Sequence, residues 1–149
     1  MFDTLHVHVL QIWQQTFAAG VKTPIHRHDC EEVFIVTAGA KSNATSSLND
    51  VRVEWRENVS EQNFEMKAQQ DSHFIVHTSR ILLLNDTFVI RPNVAHRIIN
   101  NGKEDVSLLV IFSKPPIDVY VYESWQSRDS ETSRVFPYYF DRQGSQLET

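Results

Sequence analysis

Residues 20–39 read GVKTPIHRHDCEEVFIVTAG, and this segment predicts both β-structure and a metal site. Successive side chains of a strand point to opposite faces, so His26 and His28 project from the same face of one strand. A turn through residues 29–30 lets Glu32, on the returning strand, bring its carboxylate to the same point. Two imidazoles and a carboxylate form a ligand set that suits zinc, manganese, iron or nickel.

A fourth ligand is expected from a histidine on a later strand that faces the same interior, and His96 fits that place. Cys30 is the competing ligand, because a thiolate binds zinc well, but its position in the turn favours an inert buried thiol. The remaining histidines lack a carboxylate at a workable distance and are interpreted as strand or loop residues: His6, His8, His73 and His77.

Short segments rich in β-branched and aromatic residues follow one another along the chain, with turn residues between them. They cover residues 5–13, 33–37, 51–55, 73–77, 81–84, 87–91, 96–99, 107–112 and 118–123. Without a long helical period, this order predicts an all-β antiparallel sandwich or barrel. A short helix is expected near residues 130–135, and the aromatic segment 136–141 is expected to pack against the barrel.

Length and charge narrow the function classes. A chain of 149 residues is expected to form one domain over residues 1–149, in which residues 41–80 are the least readable part. The net charge is −5 and no cluster of lysine and arginine occurs, which argues against nucleic-acid binding. No apolar run is long enough to span a membrane. The single cysteine cannot form an intrachain disulfide.

Three acceptor motifs for N-glycosylation occur, at Asn43, Asn58 and Asn85. Each motif is weak alone, but three in one short chain favour passage through the secretory pathway, to the endoplasmic reticulum lumen or the apoplast. No signal peptide is recognisable after the first methionine.

Residues 23–34, TPIHRHDCEEVF, closely resemble the metal motif of the plant auxin-binding proteins, and the glycines of segment 20–39 complete the first motif of cupin barrels. The resemblance excludes only residues 41–80, which are longer here than in that family. It implies a single-domain cupin jelly-roll barrel. The further matching segments are 85–90, 95–96, 109–111, 113–116, 122–125 and 136–141.

In the family that this chain resembles, the metal is zinc and the ligand is an auxin whose carboxylate lies on the ion. The resemblance implies a carboxylate side formed by the four metal ligands and Thr23, with Gln15 as a polar neighbour. The aromatic ring is expected to lie against Trp13, Pro24, Val119, Tyr138 and Phe140. The family is dimeric and has been linked to receptor-kinase ectodomains, so both partners are implied.

Several features depart from the family and indicate a divergent member. The position of Phe140 is a tryptophan in the family, the family's disulfide has no counterpart here, and residues 146–149 do not match its endoplasmic reticulum retention signal.

Three functions fit these residues. The first is a non-catalytic, receptor-like binding protein for an auxin-type carboxylate, since the sequence offers no general acid or base beyond the ligand set. The second is a germin-like cupin enzyme that uses manganese or iron in oxidase or dismutase chemistry, because the ligand types cannot separate these metals from zinc. The third is a cupin whose metal only stabilises the fold.

Overall fold

The computed structural model describes residues 10–40, 51–56 and 77–135. Within these ranges the chain forms ten strands and one 3₁₀ turn, η1, at Asp129–Glu131. The strands are β1 Gln11–Phe17, β2 Ile25–His28, β3 Glu32–Ala38, β4 Val51–Arg56, β5 His77–Leu82, β6 Thr87–Ile90, β7 His96–Asn100, β8 Val106–Phe112, β9 Val119–Tyr122 and β10 Ser133–Val135. No helix among the described residues is long and apolar enough to cross a membrane.

The strands form two antiparallel sheets. One has four strands in the order β1-β8-β3-β6, and the other has six in the order β10-β9-β2-β7-β4-β5. Both sheets bury alternate side chains, for example Phe34 and Val110 from the smaller sheet and Val53 and Ile98 from the larger one, in a common core. This confirms the antiparallel, all-β architecture that the sequence predicts.

Gly39 closes the segment 20–39 for a steric reason. Its φ is +81°, a backbone conformation that favours glycine, and a Cβ atom at this position would collide with the backbone carbonyl oxygen of Asp105. The end of β3 therefore packs directly against the backbone that leads into β8.

Two of the described strands differ in their bounds from the segments predicted from the sequence. β1 runs from Gln11 to Phe17, so it extends beyond the predicted end at residue 13, and residues 5–9 of the predicted strand lie outside the described residues. β5 begins at His77, before the predicted start at residue 81, and pairs in antiparallel orientation with β4. Residues 73–76 lie outside the described residues.

The short helix expected near residues 130–135 is wrong. Among the residues that the structure describes, only η1 is helical, and it is closed by the amide of Arg128, which donates to Glu131 Oε2 at 2.7 Å. Residues 133–135 form β10 because they pair with β9, an interaction that local sequence does not reveal. The aromatic segment 136–141 lies outside the described residues, as does most of the region 41–80.

Candidate metal centre

Four buried side chains meet between the two sheets. His26 and His28 point inward from β2, Glu32 begins β3, and His96 begins β7 directly opposite His26. Each is at most 5% exposed. One potential ligand atom from each residue lies within 4.8 Å of the others, so the structure brings together the whole predicted set.

The three histidines are oriented by the same kind of contact. Nδ1 of His26 donates to the carbonyl oxygen of Pro24 at 2.9 Å, and Nδ1 of His96 donates to that of Val94 at 2.8 Å. Nδ1 of His28 donates to the carbonyl oxygen of Cys30 at 2.9 Å. These bonds fix the tautomer, so Nε2 of each ring is the atom left for a metal, as in many histidine metal sites.

Oε2 of Glu32 lies close to two of these Nε2 atoms. It lies 2.7 Å from Nε2 of His28 and 2.9 Å from Nε2 of His96. Since Nδ1 already carries the proton in a neutral ring, Nε2 is an acceptor that faces a carboxylate acceptor. Two acceptors this close repel each other unless a proton or a cation lies between them, and the donor set therefore fits a divalent metal ion.

The electrostatics of the metal-free cluster agree with this account. Burial and the neighbouring His96 hold the pKa of His26 well below its ordinary value, so its imidazole stays neutral. Burial opposes the charged forms of His28 and Glu32, but the hydrogen bonds of His28 to Cys30 and Glu32 raise the pKa of His28. The hydrogen bonds from His28 and His96 lower the pKa of Glu32. The carboxylate is thus ionised, and a cation can replace the proton that it attracts.

Cys30 does not belong to the ligand group. It is buried, and its Sγ atom lies 3.5 Å from Nδ1 of His28, the ring nitrogen that faces away from Glu32. The structure therefore favours the interpretation of Cys30 as an inert thiol behind the site.

A small cavity adjoins the cluster. Its volume is about 20 Å³, which is enough for a water molecule but far below the roughly 300 Å³ or more of drug-sized ligand sites. Four of the residues implied for the ligand pocket line it: Trp13, Gln15, Thr23 and Val119. Pro24 lines a separate, larger cavity of about 790 Å³, which Thr23 also borders. Tyr138 and Phe140 lie outside the described residues.

The sequence analysis missed five apolar residues that line the cavity. They are Phe17, Phe34, Ile98, Phe112 and Ile117. The strand alternation of β3 and β8 could have placed Phe34 and Phe112 on the inner face, but which inner residues adjoin the metal ligands depends on how the two sheets pack. Phe112 contacts both Trp13 and His28 edge-on, with ring centroids 4.8 and 5.4 Å apart.

Of the three glycosylation candidates, the structure describes only Asn85. It is exposed in the turn before β6 and has a φ of +69°. Its backbone amide donates to the carbonyl oxygen of Val36 at 2.9 Å, so its side chain is not needed to hold the turn. Asn43 and Asn58 lie outside the described residues.

Two antiparallel sheets packed around a buried cluster of three histidines and one glutamate define a jelly-roll barrel of the cupin class. Solved cupin structures share this fold. A complex of oxalate oxidase with glycolate superposes with a TM-score of 0.52 at 22% identity, over 72% of this chain and 44% of the other. The oxalate decarboxylase formate complex of Lactobacillus farciminis gives a TM-score of 0.55 at 17% identity, over 79% of this chain and 28% of that one.

Within that class, the chain belongs to the auxin-binding protein family, because the sequence model of that family matches residues 4–149. It is 37% identical to auxin-binding protein 1 of Arabidopsis thaliana over 134 residues, which cover 90% of this chain and 57% of the relative. It is 33% identical to auxin-binding protein T85 of Nicotiana tabacum over 135 residues, covering 90% of this chain and 62% of that relative. The chain thus spans about three fifths of the length of these curated relatives.

Proposed function

We propose that this protein binds one zinc ion through His26, His28, Glu32 and His96, and that the ion holds the carboxylate of an auxin-type aromatic acid. The observation that supports a metal ion is a short contact between acceptor atoms. The carboxylate oxygen of Glu32 lies within 2.9 Å of two ring nitrogens that are acceptors in the neutral state. When bound, the ion supplies a Lewis-acid site for an anionic ligand. Membership of the auxin-binding protein family supports the choice of ligand.

The residues around the cluster can serve a carboxylate and a ring. Apart from the metal ligands, Thr23 and Gln15 are the polar residues that line the cavity, and Trp13 offers an aromatic surface beside Phe112. Because the cavity holds about 20 Å³, an aromatic acid requires lining side chains to move. Trp13 is placed to do so, since it is half-buried on β1, an edge strand of the smaller sheet.

We propose that binding occurs without catalysis. Apart from the metal ligands themselves, the described residues that line the cavity include no carboxylate, histidine, lysine, cysteine or tyrosine that could transfer a proton. A manganese- or iron-loaded oxidase remains the second candidate, because the same ligand set accepts those metals and enzymes such as oxalate oxidase share the fold.

The test combines metal analysis with calorimetry. We expect about one zinc per chain and a binding isotherm with indole-3-acetic acid, and no binding of indole-3-acetamide, which keeps the ring but lacks the carboxylate. A His26→Ala, His96→Ala double variant is expected to lose both zinc and the isotherm. Manganese or iron in the purified protein, without heat from indole-3-acetic acid, would contradict the proposal and favour the oxidase.

We also propose that two copies associate through the outer face of the four-stranded sheet, which we call the open face. One row of β-branched residues crosses all four strands in register: Ile12, Ile111, Val33 and Val89. Ile12 is 57% exposed and Val89 is 48% exposed. The neighbouring row is formed by Gln14, Leu109, Ile35 and Thr87, and neither row carries a charge.

A second copy suits this face because an interface between identical surfaces brings like residues together, and uncharged rows avoid repulsion. Four strands of up to seven residues present at most about 450 Å² per copy, from strand spacing and rise. The total of about 900 Å² lies at the weak end of specific interfaces, so the dimer should dissociate on dilution.

Sedimentation velocity over a range of protein concentrations tests the dimer. We expect Ile111→Lys to be monomeric at concentrations where the wild type is dimeric, while zinc binding is retained. Gln126→Lys, which adds the same charge at an exposed position after β9, away from the open face, should remain dimeric. A wild type that is monomeric throughout, or a dimeric Ile111→Lys variant, would disprove association through this face.

The remaining proposals concern the domain organisation, the localisation and the signalling partner of the protein. We propose that residues 1–149 form one domain, that the protein passes through the secretory pathway with Asn85, Asn43 and Asn58 as glycan sites, and that it signals through a receptor-kinase ectodomain. The exposed turn at Asn85 supports the first of these glycan sites. Loss of a glycosidase-sensitive mass from Asn85→Gln, expressed in a eukaryotic secretory host, tests it.

A further inference from the structure

The outer face of the six-stranded sheet carries arginines that each directly follow an inner-facing residue of the same strand. Three neighbouring strands repeat this arrangement, because side chains alternate between the two faces. The adjacent pairs are His26-Arg27 in β2, Trp55-Arg56 in β4 and His96-Arg97 in β7. The contacts of these arginines bear on how the metal ligands are held.

The two histidine-bearing strands share few backbone pairings of their own. The chain before β2 continues the ladder, since Lys22 bridges to Ile99 and the amide of Thr23 donates to the carbonyl oxygen of Ile98 at 2.9 Å. β2 pairs with β7 at a single register position, His26 with His96, whereas β2 pairs with β9 at four positions and β7 with β4 at five. We call this boundary the seam, and it passes through the metal cluster. Beside it the ladder is irregular: the amide of Ile98 donates to the Thr23 hydroxyl at 3.0 Å rather than to a carbonyl.

Arg56 bridges the seam from the β4 side. Its Nη2 donates to the carbonyl oxygens of Trp125 and Ser127 at 3.0 and 2.9 Å, both of which follow β9 in the chain. Its Nη1 donates to Asp129 at 3.2 Å, and its guanidinium lies 4.8 Å from the ring centroid of Tyr122. These four contacts come from one rigid, mostly buried guanidinium group, and they hold β4 and the segment after β9 in one arrangement.

Two further arginines reinforce this bridge. From β2, Arg27 donates to Asn93 at 3.0 Å, and Asn93 lies in the loop that leads into β7. From β7, Arg97 lies 5.6 Å from the ring centroid of Trp125. Asp129 joins the set, because it accepts from the Tyr122 hydroxyl at 2.8 Å and lies 4.0 Å from Arg27 as well as bonding Arg56.

We propose that these residues form a clamp that sets the spacing of β2 and β7, and thereby the position of His26 and His28 relative to His96. The clamp consists of Arg27, Arg56, Arg97, Tyr122, Trp125 and Asp129. Its members are positioning residues, since they lie on the opposite face of the sheet from the metal ligands. The inference rests on the proposed metal site, because its effect is on the affinity and geometry of that site.

The experiment compares Arg56→Gln and Asp129→Asn with wild type in the full chain, with cobalt(II) as the probe. The measurements are the cobalt dissociation constant by competition, the visible absorption spectrum, which reports ligand geometry, and the Tm of the metal-free protein. Asp129 is largely exposed, so its variant decides the question if Arg56→Gln fails to fold. The matched control is Arg134→Gln, which breaks an outer-face bond to Asp118 on one side of the seam only.

We expect the cobalt dissociation constant to rise by about tenfold or more in Arg56→Gln, the scale seen when outer-shell partners of metal sites are removed, with an altered spectrum. Asp129→Asn should show a smaller rise, and the double variant less than the sum of the two changes, because both act through one contact. Arg134→Gln should bind cobalt as the wild type does.

Two results would overturn the inference in different ways. A lower Tm with unchanged cobalt affinity and spectrum in both clamp variants would show that the clamp only stabilises the fold. A wild type that binds no cobalt would instead remove the metal site itself, and with it the proposed function.

Discussion

The outer faces of the two sheets are built on opposite principles. The open face of the four-stranded sheet carries rows of uncharged, mostly β-branched residues, with Ile12 and Val89 about half exposed. The outer face of the six-stranded sheet carries arginines that lie on aromatic rings, as Arg27 does on Tyr120 with 4.4 Å to the ring centroid. The segment after β9 covers much of this second face through its contacts with Arg56 and Arg97.

The difference shows which face the chain completes by itself. Arg56 bonds two carbonyls and Asp129, and Arg27 and Arg97 lie on ring faces, so we call the outer face of the six-stranded sheet the closed face. Arg97 and Tyr122 also border the larger cavity of about 790 Å³. The open face has apolar groups in register, and the described residues place nothing over them, which is typical of an association surface. The three histidine ligands thus lie in the sheet that is braced from behind, whereas Glu32 lies in β3 of the four-stranded sheet that the proposed dimer uses.

The largest expected effect is the difference in stability between substitutions on the inner and the outer side of the four-stranded sheet. Leu108 and Leu109 are adjacent in β8, but Leu108 is fully buried in the core while Leu109 faces outward. Leu108→Ala should lower the free energy of unfolding by about 3 kcal/mol, since it leaves a cavity. Leu109→Ala should cost less than about 1 kcal/mol in dilute protein, because its side chain is already partly in solvent.

Urea denaturation of both variants at low concentration measures this pair. The same chemical change at neighbouring positions makes each variant the control for the other. Equal losses would mean that Leu109 is as buried as Leu108, and the open face would not exist as described.

The metal ligands and the class of fold could be predicted because their signals are local. His26, His28 and Glu32 lie within seven residues, and strand alternation alone aims the two histidines at one point. The clamp could not be predicted in this way. Arg56 and Asp129 are 73 residues apart, and an arginine after an inward histidine looks like any solvated surface charge until the sheet order is known.

The other features that the sequence did not predict depend on strand register and on pairing between distant segments. The row on the open face unites residues from four separate strands, so it exists only once Ile12 is paired with Ile111 and Val33 with Val89. The expected helix near residues 130–135 failed because pairing with β9 outweighs a weak local preference.

A second, intermediate effect tests the charges of the closed face. Glu54 is buried and accepts from Nε of Arg97 at 2.7 Å. Glu54→Gln should lower the free energy of unfolding by about 2 kcal/mol, because it leaves the partly buried guanidinium without its charged partner. Urea is the suitable denaturant, because guanidinium chloride is a salt and would screen the ion pair.

Asp118→Asn is the control for Glu54→Gln. It also weakens a bond to an arginine, Arg134, but that pair is exposed, so solvent screens it and its loss should cost much less than the loss of the Glu54 pair. Similar costs for the two variants would mean that the closed face is no more shielded from solvent than the rim of the sheet.

The smallest effect is a pH dependence that only the closed face can have. Burial, together with the hydrogen bond to Asp129, raises the pKa of Tyr122 to about 12. An unfolded tyrosine titrates near 10, so the fold favours the protonated phenol. This contribution to stability is fully present below about pH 10 and is lost as the pH rises from there towards about 12. The two rows of the open face contain no titratable side chain and contribute nothing to this slope.

Urea midpoints at several alkaline pH values, with the absorbance of tyrosinate recorded in parallel, measure this contribution. Tyr122→Phe should cost about 1 kcal/mol at neutral pH through the lost hydrogen bond, yet lose less stability than wild type between about pH 10 and 12. Asp129→Asn should lower the pKa of Tyr122, because it removes the charge that opposes ionisation. Parallel declines in wild type and Tyr122→Phe would show that Tyr122 is open to solvent, and the contrast between the two outer faces would then rest on the arginines alone.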